Sequence, residues 1–200
     1  MKGSFVRIET ERLLLREWRD SDLEPFFALN ADPEVMAHFP AVLSREESDE
    51  TLTRIRNHFE KHGFGLWAVE ATGKEGASAG FIGFVGLMVP TFEASFTPCV
   101  EVGWRLARAH WNRGYATEGA EAALRVGFEG FDLSEIVSMT TSANVRSRRV
   151  MERLRMTHDP EEDFDHPVLA TWSPLRRHVL YRLTKAEWRK RARETPGSTT

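Results

Sequence analysis

With one cysteine, Cys99, in 200 residues, the chain has no internal disulfide to staple it. It has no Cys/His set at zinc-finger spacing, so no metal site is expected. No apolar run is long enough to cross a bilayer. The start, Met1-Lys2-Gly3-Ser4-Phe5-Val6-Arg7, lacks the apolar stretch of a signal peptide. The expected compartment is therefore cytoplasmic, with no membrane partner. Charge of one sign is also scarce. The 27 basic and 30 acidic residues leave a net charge of −3, too weak a field to draw the chain to DNA, RNA or anionic lipid. Gly-x-Gly-x-x-Gly and the Gly-Lys-Ser/Thr P-loop are both missing, which removes the dinucleotide and ATP motifs.

What is present is an ordinary globular composition, 41% hydrophobic and 28% charged. The length suits a single domain with a sizeable core. That domain is expected over residues 1–190, with 191–200 a polar tail expected to be disordered.

Patterning predicts a strand at Arg12–Trp18. A capping box at Ser21-Asp22-Leu23-Glu24 then opens a helix. A second box, Ser44-Arg45-Glu46-Glu47, opens another helix, with Leu52, Ile55 and Phe59 on one face and Gly63 and Gly65 ending it. Leu66–Glu70 and Phe81–Val89 read as a hairpin about a turn at Thr72–Gly76, and the glycines of the second strand suggest a bulge or a close backbone approach. In Val100–Leu106, Val100, Val102, Trp104 and Leu106 share one face and Glu101, Gly103 and Arg105 the other. A helix is expected at about 115–130, where Gly119 and Gly127 permit close packing. Then come a strand at Ile136–Thr140, a helix opened by Asn144, an acidic loop Asp159–Asp165, a strand at His178–Leu183 and a short helix near Trp188. Antiparallel strands giving way to strand–helix–strand units argue for a mixed α/β sheet with helices on its faces.

The segment richest in chemistry is Ala109-His110-Trp111-Asn112-Arg113-Gly114-Tyr115-Ala116-Thr117-Glu118-Gly119, between a strand and a helix. Gly114 lets the chain turn tightly, and Ala116 keeps the helix start slim. The unpartnered N–H groups and positive dipole end of such a start can bind a diphosphate, with Arg113 adding charge. On these features alone, a glycine turn into a core helix is the simpler account.

These segments together resemble the GNAT superfamily of acyl-CoA-dependent N-acetyltransferases, in its RimJ/RimL-type branch. The resemblance runs from Ile8-Glu9-Thr10-Glu11-Arg12-Leu13-Leu14-Leu15-Arg16 through Asn30–Met36, Val100–Trp104, Trp111–Glu118 and Asn144–Ser147 to His178–Leu183. Trp111 stands where the general pattern has Arg or Gln, and the branch commonly carries an aromatic there.

The resemblance implies a mixed, mostly antiparallel twisted sheet flanked by helices. It implies acetyl-CoA as cosubstrate, no metal, and direct attack of a primary amine on the thioester through a tetrahedral intermediate. It places Asn112, Arg113, Gly114, Tyr115, Ala116, Thr117 and Gly119 on the diphosphate, and Val102, Gly103 and Trp104 along the pantetheine arm. Glu101 is either the base or a sheet-surface carboxylate paired with Arg105 or Arg16. Ser147 either supports the leaving thiolate or merely faces solvent or cofactor, since the position where many relatives carry Tyr is Met151. Asn144 contacts the pantetheine or simply caps its helix. Arg155 replaces a usual glycine and would carry positive-φ strain.

The acceptor is a protein N-terminus or a small-molecule amine, and a homodimer is compatible with the analogy. The acids of the Asp159–Asp165 loop either attract a cationic acceptor or are merely solvated. Cys99 is expected to be a small buried or half-buried thiol, and His58 and His62 ordinary surface or boundary residues. Arg189–Arg193 reads as a solubilising helix end. The competing class is a CoA-binding sensor of the same fold without turnover.

Overall fold

A computed structural model describes residues 7–72 and 78–194. The first six residues, the expected turn at Gly73–Gly76 and the last six residues lie outside them. Strands β1 (Ile8–Glu9) and β2 (Leu13–Arg16) lead into helices α1 (Leu23–Ala31) and α2 (Arg45–His62). Then come β3 (Leu66–Thr72), β4 (Ser78–Met88), β5 (Glu101–Leu106), α3 (Tyr115–Arg125), β6 (Glu135–Thr141) and α4 (Val145–Arg153). The chain finishes with β7 (Thr157–His158), β8 (Phe164–Asp165), β9 (Arg177–Thr184) and α5 (Lys185–Glu194). The strands form one sheet in the order β1-β2-β3-β4-β5-β6-β9-β7, with β8 also on β9. Every pairing is antiparallel except β5 with β6.

Strand alternation divides the apolar side chains into two cores. Leu13, Leu15, Trp67, Val69, Val85, Leu87, Val102 and Leu106 face Ala120, Ala123 and Leu124 of α3, Met151 of α4 and Trp188 of α5. Ala68 and Phe84 of the opposite face meet Phe26 and Leu29 of α1 and Leu52 and Ile55 of α2. The Ser44 capping box forms as the sequence predicts, its hydroxyl accepting from Glu47 N and the Glu47 carboxylate from Ser44 N. Gly63 closes α2 in the left-handed region, at φ 76°.

Gly83 (φ 141°) lies at the expected irregularity, where the β3–β4 register shifts, and a Cβ there would sit 2.2 Å from Arg105 O. Gly119 presses on Val85, and Gly127 on Ile136 and Leu87. Arg155 does hold a positive φ, 54°.

Four expectations change. Ser21 caps nothing. Asp22 accepts from Arg19 N (2.7 Å) and takes both terminal nitrogens of Arg16 at 2.7 Å, so a buried charge pair rather than a hydroxyl cap sets the start of α1. The 115–130 helix stops being α-helical at Arg125 and finishes as one π turn, Val126–Gly130. The acids after α4 are engaged within the fold. Asp163 meets His158, Glu162 meets Arg182, Asp165 meets Arg176 and Arg177, and Asp159 caps Glu161 N. The last helix runs to Glu194, and Arg191 within it reaches Glu121 and Leu154 O.

Arg16 is 4% exposed and also binds Glu70 at 2.6 Å. Burial works against its charge, yet the bonds from Asp22 and Glu70 raise its pKa. Removing one partner of such a buried pair strands the other. Asp22→Ala should cost about 3 kcal/mol in denaturant unfolding. A loss below about 1 kcal/mol, the surface-pair range, would show that the pair does not anchor α1.

Candidate active site

The site begins where two strands part. β5 and β6 match at one register position, Glu101 with Val137. Val137 N donates to Val100 O (2.9 Å), and the next link is a side chain, Ser138 Oγ to Val102 O (2.9 Å). Beyond that point the two parallel strands share no further rung. Strand edges without partners need hydrogen bonds from elsewhere. Val102 O is thus taken, and the split offers the backbone groups of Trp104 to an extended ligand, while Gly103 faces the α1–α2 side with nothing within 4 Å of where its Cβ would lie.

One helix start on this side of the sheet is uncapped. Gly114, at φ 82°, is the N-cap of α3 and provides no side-chain bond, and Asn112 before it is also left-handed, at φ 59°. The first backbone bond back into the turn is Glu118 N to Gly114 O. Thr117 Oγ1, within this first turn, is buried without a partner among the described residues. Free amides, a positive helix end and an orphan hydroxyl are complementary to a phosphate oxyanion. Asn112 and Arg113 are exposed, and Gly114, Tyr115, Ala116 and Thr117 are half-buried. Gly119 is buried against Val85 and Leu13, the close helix–sheet approach the sequence allows there.

Arg12 braces this turn in a way the sequence does not announce. Its Nη1 donates to Arg113 O (2.9 Å), its Nε to Glu118 (2.7 Å), and its guanidinium lies 5.1 Å from the Tyr115 ring centre. Burial pushes the Glu118 carboxyl up, but the hydrogen bonds from Thr10 and Arg12 outweigh it and hold it below its usual range. Trp111 Nε1 donates to Leu106 O (2.7 Å), and Arg146 of α4 stacks on the Trp111 ring at 4.5 Å. That contact joins the approaches to α3 and α4.

α4 starts at Asn144, whose Oδ1 accepts from Ser147 N (3.2 Å). Its Nδ2 donates to Thr140 Oγ1 (2.9 Å) and Ser147 Oγ (3.1 Å). Capping is thus the role the geometry displays for Asn144. Ser147 Oγ accepts from that amide and keeps its own proton to donate. Met151 is sealed in the core.

Glu101 sits on the opposite face, toward α1 and α2. The pairing with Arg16 or Arg105 that the sequence allows is not made. Arg16 holds Asp22 and Glu70, Arg105 holds Asn30, and no ion pair of Glu101 exists among the described residues. Burial pushes its carboxyl from an ordinary 4.5 up to about 7, against the pull of a backbone hydrogen bond from Met139, which lies beyond the last rung of β6. Cys99 nearby is half-buried. Burial, then the Glu101 charge, raises its thiol to about 11, far from a nucleophile's range.

His58 is a structural link, Nδ1 to Phe64 O and Nε2 accepting from Val89 N. Among the described residues no three His, Cys, Asp or Glu side chains gather as a metal site, and no helix is long and apolar enough to cross a membrane.

Comparison with known proteins identifies the family and the fold. The family described as "Acetyltransferase (GNAT) domain" matches residues 12–157. The chain is 32% identical over 190 residues to FsC-acetyl coenzyme A-N(2)-transacetylase of Aspergillus fumigatus, covering 90% of this chain and 77% of that one. It superimposes on an acetyltransferase from Agrobacterium tumefaciens with a TM-score of 0.70, at 26% identity over 90% of this chain and 95% of that one. A spermidine N-acetyltransferase from Vibrio cholerae, solved with CoA and spermine, shares the fold at TM-score 0.68 and 17% identity, covering 90% of this chain and 99% of that one.

Gly114→Glu should abolish coenzyme A binding in calorimetry, because it adds a carboxylate beside the free amides and left-handed strain of about 1–2 kcal/mol. Affinity retained in a folded variant would move the diphosphate elsewhere.

Proposed function

The chain belongs to the GNAT acetyltransferase family, and from that premise we propose that it is a RimJ/RimL-type enzyme moving an acetyl group from acetyl-CoA to a primary amine. The observation that carries the reading is the combination of a split sheet and an uncapped helix start. An extended thioester arm held by its diphosphate at Gly114 meets unpaired strand edge where β5 and β6 part, between the face of Glu101 and the start of α4 at Ser147. The amides of Asn112 to Thr117 and the Thr117 hydroxyl bind the diphosphate. Trp104 holds the arm as a neighbouring strand would, with Val102 and Gly103 beside it, and this fixes the thioester against Ser147 on one side and the Glu101 face on the other. Holding reactants in such register supplies much of the acceleration in direct acyl transfer.

Glu101 takes the amine's proton, directly or through one water. A carboxyl held near 7 is suited to that work, since a base is most effective when its pKa lies close to the working pH. Ser147 donates a hydrogen bond to the departing sulfur; with a hydroxyl's weak acidity it stabilises charge rather than delivering the proton outright. Asn144 positions Ser147 through its two bonds to that residue. The acceptor is a protein α-amine or a small-molecule amine. The unpaired, unneutralised Glu101 favours an enzyme over a binding module, because a carboxylate without a counter-ion at a ligand channel costs stability.

A group whose folded pKa is raised is stabilising below its unfolded pKa, and that stability is lost as pH rises through the folded value. Wild type should therefore lose stability relative to Glu101→Gln between about pH 4.5 and about 7. Over the same interval its activity should gain. With acetyl-CoA and an amine panel in a thiol-release assay, the ratio of wild-type to Glu101→Gln rates should climb to about pH 7 and level off. A flat ratio would remove Glu101 as the base, and coenzyme A binding with no amine-dependent thiol release would leave the sensor reading in its place.

A further inference from the structure

Other arginines held within the fold have an acid beside them. Arg16 has Asp22 and Glu70, Arg182 has Glu135 and Glu162, and Arg191 has Glu121. Arg105 has none among the described residues. Its Nη1 donates to Asn30 Oδ1 at 2.6 Å, a neutral acceptor. Its Nε is buried and unpartnered. Its guanidinium lies 4.0 Å from the Phe39 ring centre and 5.3 Å from that of Phe84, its cross-strand neighbour on β4. The group is held firmly, since Asn30 is fully buried and fixed in turn by its own bond to Ser48 Oγ at 3.0 Å. A buried cation of this kind is costly unless an anion meets it. Burial lowers its pKa to about 10, which still leaves it charged at neutral pH.

The position of this cation gives it a use. Glu101, Gly103 and Arg105 alternate onto the same face of β5, roughly 13 Å from first to last along the strand. Between them stands Gly103, with open space where a side chain would be. Carboxyl, gap and guanidinium thus line the α1–α2 side of the split. Arginine's planar fork suits a carboxylate, and such charge-assisted bonds are the stronger kind.

Resting on the reading that Glu101 receives the amine, we propose that Arg105 recognises a carboxylate on the acceptor, making the substrate an amino acid-like molecule with its amine at Glu101 and its acid at Arg105. Arg105 is then a specificity residue. If it served only to tie α1 and the Phe39 segment to the sheet, it would read nothing of the acceptor's charge.

The test is calorimetry of ω-amino acids from glycine to 6-aminohexanoate, each against its primary amide, on the protein with and without saturating coenzyme A. We expect at least one acid to bind wild type about tenfold or more tightly than its amide, the range of a charge-assisted hydrogen bond. Arg105→Gln should bind that acid and its amide alike, and Arg105→Lys should keep part of the preference. The proposal is overturned if no acid of the series is preferred by wild type, failure of all to bind included. It is also overturned if Arg105→Gln keeps the preference or loses acid and amide in equal measure. Should Arg105→Gln fail to fold, the wild-type series and Arg105→Lys decide. Coenzyme A affinity in the same runs reports separately on the Gly114 cradle: its absence defeats the acetyl-transfer reading, while an acid-over-amide preference without coenzyme A still upholds the role of Arg105.

Discussion

A parallel pair of strands that separates after one rung governs the arrangement of this molecule. Continuous pairing of β5 with β6 would consume the backbone groups of Val102, Trp104 and Met139 and close the sheet. Instead Ser138 supplies the last link through its hydroxyl, and Met139 turns its backbone donor to Glu101. The cost of unpaired edges inside a fold is high, so the split persists only because the rest of the sheet is strongly tied. The long antiparallel ladders β3–β4 and β6–β9 hold either side. Two cores on opposite faces hold the helices that border the split.

From that parting the charges sort themselves by face. On the α3–α4 side lie a positive helix end and a hydroxyl with a free proton, suited to a phosphate and a sulfur. On the α1–α2 side lie a carboxyl and a guanidinium, neither with a counter-ion among the described residues. Ten other charged side chains of the sheet and its helices, among them Arg16, Asp22 and Glu118, are matched in ion pairs, which makes two unpaired groups of opposite sign on one strand informative. Groups of opposite sign left unpaired on the same face serve a ligand that carries both.

Much of this was legible in the residues. The Ser44–Glu47 box and the Gly63 stop are local events, decided within a turn or two, and they form as the sequence predicts; the positive φ of Arg155 is what the family resemblance implies. The strand alternation at Val100–Leu106 correctly assigns Glu101 and Arg105 to one face, since period two is a property of extended backbone. The Ser21 box misleads because a buried arginine from β2 claims Asp22 with more energy than a hydroxyl cap offers.

The sequence by itself determined the helix starts, the strand faces and the glycine turn at 114, because each follows from hydrogen bonds and steric preferences among near neighbours. Only the tertiary structure decided which charges meet. Arg12 braces a turn 101 residues away through Arg113 O, Arg105 finds Asn30 75 residues away, and Glu101 finds no cation among the described residues. Pairing across such separations depends on sheet order and burial, and neither is written in any short window of the chain.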